Sequence, residues 1–156
     1  MYLLLPLMMQ HKLIEHYGKS NKYRFRRMEL EQFAMFEENY DKVVKEAQFQ
    51  TEAQFSFYKG ISVLCCRISV DMSAMDKPLA KIVLKSFFEI HPDSLRLLLK
   101  EDKIVSPPVP LVQFASLCYG AIRGVQFSKT QDTPLAGYVL PPVYYGNMID
   151  KGFEVE

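Results

Sequence analysis

The chain has 156 residues, of which 49% are hydrophobic and 24% charged, so it can bury one core of its own and has the composition of a soluble globular protein. Its net charge of +1 provides no overall field that would attract nucleic acid or a membrane surface. Cys65, Cys66 and Cys118 fit neither a metal-ligand spacing nor a disulfide framework, so we expect a reducing, cytoplasmic location.

Residues 1–21 are expected to be an appendage to a single domain that covers residues 22–156. The segment Met1–Met9 is apolar, but it is far shorter than the roughly 20 residues that a membrane-spanning helix needs. It also lacks the basic start of a signal peptide. We interpret the appendage as a short helix, or as a stretch upstream of the natural start. His11, Glu15 and His16 within it are too few ligands for a metal site.

Alternation of apolar and polar residues predicts four strands: Tyr23–Glu31, Gln48–Phe57, Ile61–Met72 and Leu79–Ile90. The second strand has the clearest signal, because every other residue from Phe49 to Phe57 is apolar or Thr. Short turns join the last three strands, which predicts an antiparallel meander. Gly60 is expected to supply a positive φ in the first of these turns.

The first strand is the most ambiguous of the four. Its pattern predicts Tyr23, Phe25 and Arg27 on one side of the sheet and Arg24, Arg26, Met28 and Leu30 on the other. Basic residues interleaved with aromatic ones could bind nucleic acid. Acidic residues follow at once, however, so an edge strand protected by its charges is the favoured interpretation.

The period changes after the fourth strand, and helices follow. Asp93 or Ser94 can cap a short helix, Ser106–Pro110 is expected to be a rigid spacer, and Leu111–Val125 is predicted to be the main helix. A loop and an extended apolar stretch, Tyr138–Tyr145, come next. Strands followed by helices predict an α+β fold, a four-stranded antiparallel sheet with its helices packed on one face.

The sequence carries no enzyme signature. It lacks the glycine-rich motifs that hold phosphates, the GxSxG nucleophile motif and the HExxH metal motif. His91 is interpreted as a turn residue, because no catalytic partner can be placed beside it. Cys65 and Cys66 are adjacent in a strand and so point to opposite faces. We therefore expect a protein that is not an enzyme and uses no metal or other cofactor.

Two long connections are unusually rich in apolar side chains. One is the crossover Phe33–Lys45, which follows the first strand, and the other runs from Phe127 to Tyr145. Such segments either cover the core, or they form an exposed groove or a subunit interface. The residues alone leave these alternatives open.

The order of these elements resembles the SecB family of chaperones for unfolded polypeptides. Three segments carry the resemblance: SFFEI at the end of the meander, VPLVQFASLCYGAIRG across the main helix, and VLPPV in the final connection. The resemblance covers roughly residues 23–149. It implies an α+β subunit of a dimer or homotetramer that holds unfolded clients in apolar grooves without ATP.

The resemblance also implies particular site residues. The client groove would be lined by Phe33, Phe36, Tyr40 and Val44 from the crossover and by Phe127, Leu135, Tyr138, Val139 and Leu140 from the other connection. A weaker partner site would contain Arg27, Glu31 and Lys81. Export-dedicated members present carboxylates to the motor SecA, whereas two of these three residues are basic, which puts service to SecA in doubt.

Three hypotheses remain open at this point. The first is a general holdase for unfolded polypeptides, with protein export as one role. The second is a SecB-like chaperone with one dedicated client, such as an antitoxin. The third is a structural or assembly subunit whose aromatic connections form an oligomer interface. Nucleic acid and membrane insertion are not expected.

Overall fold

The computed structural model describes residues 23–42, 46–100, 103–106, 108–149 and 153–155. Four long strands form its larger sheet: β1 (Tyr23–Met35), β2 (Gln48–Tyr58), β3 (Val63–Ala74) and β4 (Lys77–Ile90). The strand order is β1-β4-β3-β2 and every pairing is antiparallel. The predicted meander is thus present as β2-β3-β4, and β1 crosses over to the far side of β4.

The remaining elements follow the larger sheet in the chain: α1 (Pro92–Leu98), β5 (Leu99–Lys100), β6 (Lys103–Ser106), α2 (Pro108–Thr130) and β7 (Phe153–Val155). The last three of the strands form a small second sheet in the order β5-β6-β7. The predicted α+β fold with a four-stranded antiparallel sheet is confirmed. The second sheet was not predicted, because strands of two to four residues are too short to show a period of two.

The main core lies between α2 and one face of the larger sheet, which we call the inner face. Buried side chains recur along α2 every three or four residues, from Leu111 through Phe114 and Cys118 to Ile122. The Phe114 ring stacks on Phe88 of β4, with 4.3 Å between centroids. Full burial of one such side chain contributes roughly 1.5–3 kcal/mol, so this contact fixes α2 against the sheet.

β1 departs from the predicted alternation at two points. The register with β4 shifts between Phe25 and Arg27, and again between Leu30 and Gln32. Each shift is a β-bulge, in which one extra residue interrupts the period of two. Phe25, opposite Phe88, and Leu30, opposite Leu84, therefore share the inner face. The prediction that grouped Phe25 with Arg27 was wrong, because no pattern of residue types reveals a bulge.

The turn between β2 and β3 also differs from its prediction. A 3₁₀ turn covers Lys59–Ile61, and the residue in the left-handed region is Ser62, with φ of 53°. Gly60 does not adopt a positive φ. Ser can occupy the left-handed region at a modest cost, so the glycine was a misleading marker for that conformation.

Both helices begin earlier in the chain than predicted. The cap of α1 is His91, whose Nδ1 accepts a hydrogen bond from Asp93 N at 3.2 Å, rather than Asp93 or Ser94. The supposed spacer is partly helical, because Pro108 and Pro110 lie in the first turn of α2. Proline is tolerated there, since the first N–H groups of a helix have no intrahelical partner.

Candidate functional site

The two apolar connections meet at an aromatic contact. Tyr40, which follows β1, packs edge-on against Tyr138, with 6.2 Å between ring centroids. Both tyrosines belong to a small apolar cluster that also contains Leu135 and Leu79. The two connections are therefore adjacent here. At this point they fill the space between them rather than leaving it open.

The predicted client-binding residues fall into three groups. Phe127 and Val139 are 65% and 68% exposed. Phe33, Phe36 and Tyr40 are half-buried. Tyr138, Leu135 and Leu140 are 9% exposed or less, and Val44 lies outside the described residues.

Leu135 and Leu140 require a correction. With 0% and 1% exposure, their side chains face the core and cannot contact a client directly. The connection is extended from Tyr138 to Leu140, so successive side chains alternate between the core and solvent. Val139 is the outward member of this trio. The sequence pattern could not show which member of an all-apolar trio points outward.

One groove runs along α2 beside this connection, and we call it the flank groove. Its volume is about 320 Å³. It is lined by Arg123, Gly124, Gln126, Phe127, Ala136, Tyr138, Val139 and Leu140. The groove thus contains both of the exposed residues that the sequence predicted as client contacts. Apolar walls with a few polar groups are typical of ligand sites.

Hydrogen bonds hold the outer wall of the flank groove in place. Gln126, which is 3% exposed, donates from Nε2 to the Tyr138 carbonyl at 2.6 Å. Tyr119 donates from its hydroxyl to the Pro141 carbonyl, also at 2.6 Å. Both bonds tie the extended connection to α2. The groove is therefore formed before any ligand arrives, which lowers the ordering cost of binding.

A second groove lies on the opposite flank of α2, against β1, and we call it the edge groove. Its volume is about 440 Å³. It is lined by Met28, Leu30, Leu84, Ala121, Gly124, Val125, Ser128 and Lys129. Met28 and Leu30 are 51% and 39% exposed although they face the helix side of the sheet. Sequence reasoning missed this groove, since the misassigned faces of β1 concealed it.

Between the two grooves, α2 carries an exposed apolar stripe. Leu117 and Phe127 are 57% and 65% exposed, and Gly120 and Gly124 lie between them on the same face. A Cβ atom added at either glycine would meet nothing within 4 Å. Packing among the described residues therefore requires neither glycine. Leu117, Gly120, Gly124 and Phe127 recur at helical spacing away from the buried face, and this pattern in the sequence indicates the stripe.

The three weaker partner residues lie on the other face of the sheet, which we call the outer face. Arg27 pairs with Glu29 at 3.1 Å, and Lys81 pairs with Asp71 at the same distance. Glu31 accepts a 2.7 Å hydrogen bond from Arg67, and that bond lowers the pKa of the Glu31 carboxyl. All three residues are thus engaged in ion pairs within the chain.

Chemically reactive side chains are not gathered at either groove. In the described part of the chain, no three His, Cys, Asp or Glu residues are close enough to hold a metal ion. His91 caps α1, while Cys65, Cys66 and Cys118 are buried free thiols. Residues 11–16, with their two histidines, lie outside the described ranges. None of the described helices has the length and apolar character needed to cross a membrane.

No protein-family model matches this chain. No curated protein matches it either. Among solved structures, it is similar to a SecB-like chaperone from Mycobacterium tuberculosis in complex with a ChAD peptide from the HigA1 antitoxin. The TM-score is 0.53 at 15% sequence identity, and the match covers 78% of this chain and 90% of that chain. At this identity, the likeness establishes a SecB-like fold and nothing further.

Proposed function

We propose that this protein is an ATP-independent chaperone that binds extended or unfolded segments of client polypeptides in the flank groove. The observation that carries the proposal is the exposure of Phe127 and Val139 on opposite walls of a preformed groove. Soluble proteins rarely leave large side chains exposed together unless another molecule covers them. The proposal includes a cytoplasmic location and no cofactor, nucleotide or catalytic step.

The chemistry of the groove suits clients that share no sequence. Unfolded chains have in common only exposed apolar side chains and unpaired backbone groups. The apolar residues of the groove supply contact for the former, and the cation Arg123 at its border interacts with the backbone carbonyls or acidic side chains of a client. Each apolar side chain that a client buries contributes roughly 25 cal/mol per Å². Several weak contacts of this kind give affinity without selectivity.

The test is a double variant, Phe127→Ser with Val139→Ser. Purified protein without nucleotide is expected to suppress aggregation of unrelated unfolded proteins. The variant should bind them about tenfold more weakly or worse, since it loses two apolar contacts. Both side chains are exposed, so the fold should be retained, which circular dichroism can check.

Met75→Ser is the matched control. Met75 is 71% exposed, but it lies in the turn between β3 and β4, away from both grooves. Its substitution should leave client binding unchanged. If severalfold excess of wild-type protein suppresses no aggregation, the holdase function is rejected. If the double variant loses its oligomeric state instead of its client binding, the protein is a structural subunit.

We also propose that the chain self-associates through β1 and the edge groove. β1 is a 13-residue edge strand, so one side of its backbone has no partner strand within the described sheet. Exposed edges of this length are prone to pair with another strand. A second copy would cover Met28 and Leu30 at the same time. Of its lining residues, the edge groove shares only Gly124 with the flank groove, so we expect that both can be occupied together.

A chaperone with one dedicated client is the second candidate function. It is supported by the structural likeness to the M. tuberculosis chaperone, which was solved with an antitoxin peptide. A panel of unrelated unfolded proteins and antitoxin-derived peptides separates the two candidates. Tight binding to one peptide would support the dedicated role, whereas equal affinity across the panel would support the general one. Service to SecA is less favoured, because Arg27 and Lys81 are cations where export-dedicated proteins are expected to present carboxylates.

A further inference from the structure

The bulge in β1 gathers positive charge on the outer face of the sheet. Arg24 lies opposite Glu89 and Arg27 lies opposite Phe87. Arg26 is the extra residue of the bulge and has no partner in the register with β4. Arg26 reaches the same Glu89 as Arg24, at 3.1 Å and 2.7 Å respectively. All three arginines therefore lie on the outer face. In a regular strand with Arg24 on the outer face, Arg27 would be directed toward α2 instead.

Beside these arginines, the outer face has a concave site that we call the outer pocket. Its volume is about 600 Å³. It is lined by Arg26, Arg27, Glu29, Tyr58, Ile61, Val63, Lys85 and Phe87. α2 packs on the opposite side of the sheet, so no described helix covers this site. The outer pocket shares no residue with the flank groove or the edge groove.

The floor of the outer pocket is apolar. Val63, Cys65 and Phe87 form a buried cluster there, separate from the main core. Tyr58 and Ile61 stand at the rim and are 47% and 68% exposed. An apolar side chain of a partner that packs against these two rim residues would cover their exposed surface. That side chain would remove further surface from water, at roughly 25 cal/mol per Å².

The charge around the floor is positive. The lining contains three cations, Arg26, Arg27 and Lys85, against one carboxylate, Glu29. Two neighbouring carboxylates are each divided between two cations: Glu89 between Arg24 and Arg26, and Glu31 between Arg67 and Lys85. The contact of Lys85 with Glu31 is long, at 3.8 Å, so this ammonium group retains capacity for another anion.

We propose that the outer pocket is a docking site for an acidic segment of a partner protein, with a bulky apolar side chain against Tyr58 and Ile61 at the rim and flanking carboxylates on Arg26 and Lys85. This site goes beyond the proposed client groove. Surplus positive charge around an apolar floor complements a peptide that combines both features. The chain as a whole is nearly neutral, so attraction to the partner would be local and sensitive to salt.

A nucleic acid fits the outer pocket less well. Phe87 is 7% exposed and its ring is covered by the Arg27 guanidinium, 4.2 Å from the centroid. The ring is therefore not available to stack on a base. Glu29 and Glu89 would also repel a phosphate backbone that passed over the site. A peptide can place its carboxylates individually beside the cations, which a continuous row of phosphates cannot do.

Fluorescence anisotropy with a synthetic peptide tests the site. The probe has a central Leu-Phe pair flanked by glutamates, and the comparison peptide carries glutamines instead. We expect the acidic peptide to bind at least tenfold more tightly and to lose affinity as salt rises. The double variant Arg26→Gln with Lys85→Gln should weaken its binding at least tenfold.

Controls separate this site from its surroundings. Lys77→Gln removes an exposed lysine at the start of β4 that does not line the pocket, so it should leave binding unchanged. Ile61→Ser removes an exposed rim contact and should weaken both peptides. The proposal is overturned by equal binding of the two peptides, by no effect of the Arg26 and Lys85 substitutions, or by tighter binding of a single-stranded RNA than of the acidic peptide.

A further binding experiment distinguishes this proposal from the chaperone function. The acidic peptide should bind equally well to the variant with Phe127→Ser and Val139→Ser. Loss of peptide binding in that variant would assign the peptide to the flank groove and reject the outer pocket. Conversely, failure of the aggregation assay alone would reject the chaperone function and leave the peptide result standing.

Discussion

At the scale of single residues, buried polar groups hold the apolar connection that borders the flank groove. Tyr145 at its far end is 0% exposed, and its hydroxyl lies 2.6 Å from Thr51 Oγ1 of β2. Tyr119 and Gln126 bind the same connection from α2. The connection is thus fixed to both the sheet and the helix. Some of its apolar side chains lie in the core, and others form an exposed wall of the flank groove.

Tyr145→Phe should lower the free energy of unfolding by about 1 kcal/mol, because the hydroxyl of the half-buried Thr51 loses its partner. Burial raises the Tyr145 pKa from 10.0 to about 12. Between these values the unfolded chain ionises while the folded chain stays protonated, so this residue's contribution to stability is lost as pH rises through that window. The variant should therefore lose less stability there in urea titrations.

Tyr144→Phe is the control for this prediction. Tyr144 is its neighbour in sequence but is 69% exposed. Its substitution should change stability by less than about 0.5 kcal/mol, as is usual for surface positions. Equal effects of the two substitutions would show that the Thr51 bond does not anchor the connection.

At the scale of elements, α2 performs two roles with two faces. Its buried face fixes the sheet, while the exposed stripe with Gly120 and Gly124 borders both grooves. Glycine in a helix interior costs about 1 kcal/mol relative to alanine, so the two glycines weaken the isolated helix. A methyl group at either position would meet nothing among the described residues, so another molecule has space to approach the helix there.

Gly124→Ala and Gly120→Ala form a matched pair. Each should raise the free energy of unfolding by up to about 1 kcal/mol in urea titrations at fixed protein concentration. Only Gly124 lines both grooves, so only its substitution should weaken client binding and self-association. Unchanged binding in Gly124→Ala would show that no ligand approaches the helix backbone there.

Element-scale features differ in how well the sequence predicts them. The faces of β2, β3 and β4 follow directly from alternation, since a half-buried strand must separate apolar from polar side chains. The faces of β1 cannot be predicted in this way, because the residue types do not reveal the two bulges that shift its period. The edge groove, which depends on Met28 and Leu30 facing the helix side, was concealed for the same reason. Phe127, Tyr138, Val139 and Leu140 of the predicted client groove line the flank groove, whereas the predicted crossover residues do not, and client binding there stays a prediction.

At the scale of the whole molecule, unpaired backbone groups and exposed apolar side chains lie together at the β1 edge of the sheet. β1 combines an open backbone edge with exposed apolar side chains, and α2 continues this surface with its stripe. A single chain has no further described element to cover them. We therefore expect the 18.1 kDa chain to occur in solution as a multiple of that mass.

Leu30→Lys should shift the protein to its monomeric mass in sedimentation experiments. Leu30 lines the edge groove beside Lys129, so a new lysine would be repelled there and would lack a partner when a second copy covers it. Met75→Lys, at an exposed turn outside the groove, should keep the oligomer. A wild-type protein that stays monomeric at every concentration would rule out self-association through β1.

The two bulges of β1 have a consequence for how this strand tolerates changes in its length. Removing one residue from a regular strand inverts every side chain beyond the cut. Position 26 is different, because the residues on either side of it already alternate correctly without it. Position 31 has the same property. A lineage could lose either residue and keep the rest of β1 in place, so one arginine and one glutamate are the parts of this strand that evolution can delete without refolding the sheet.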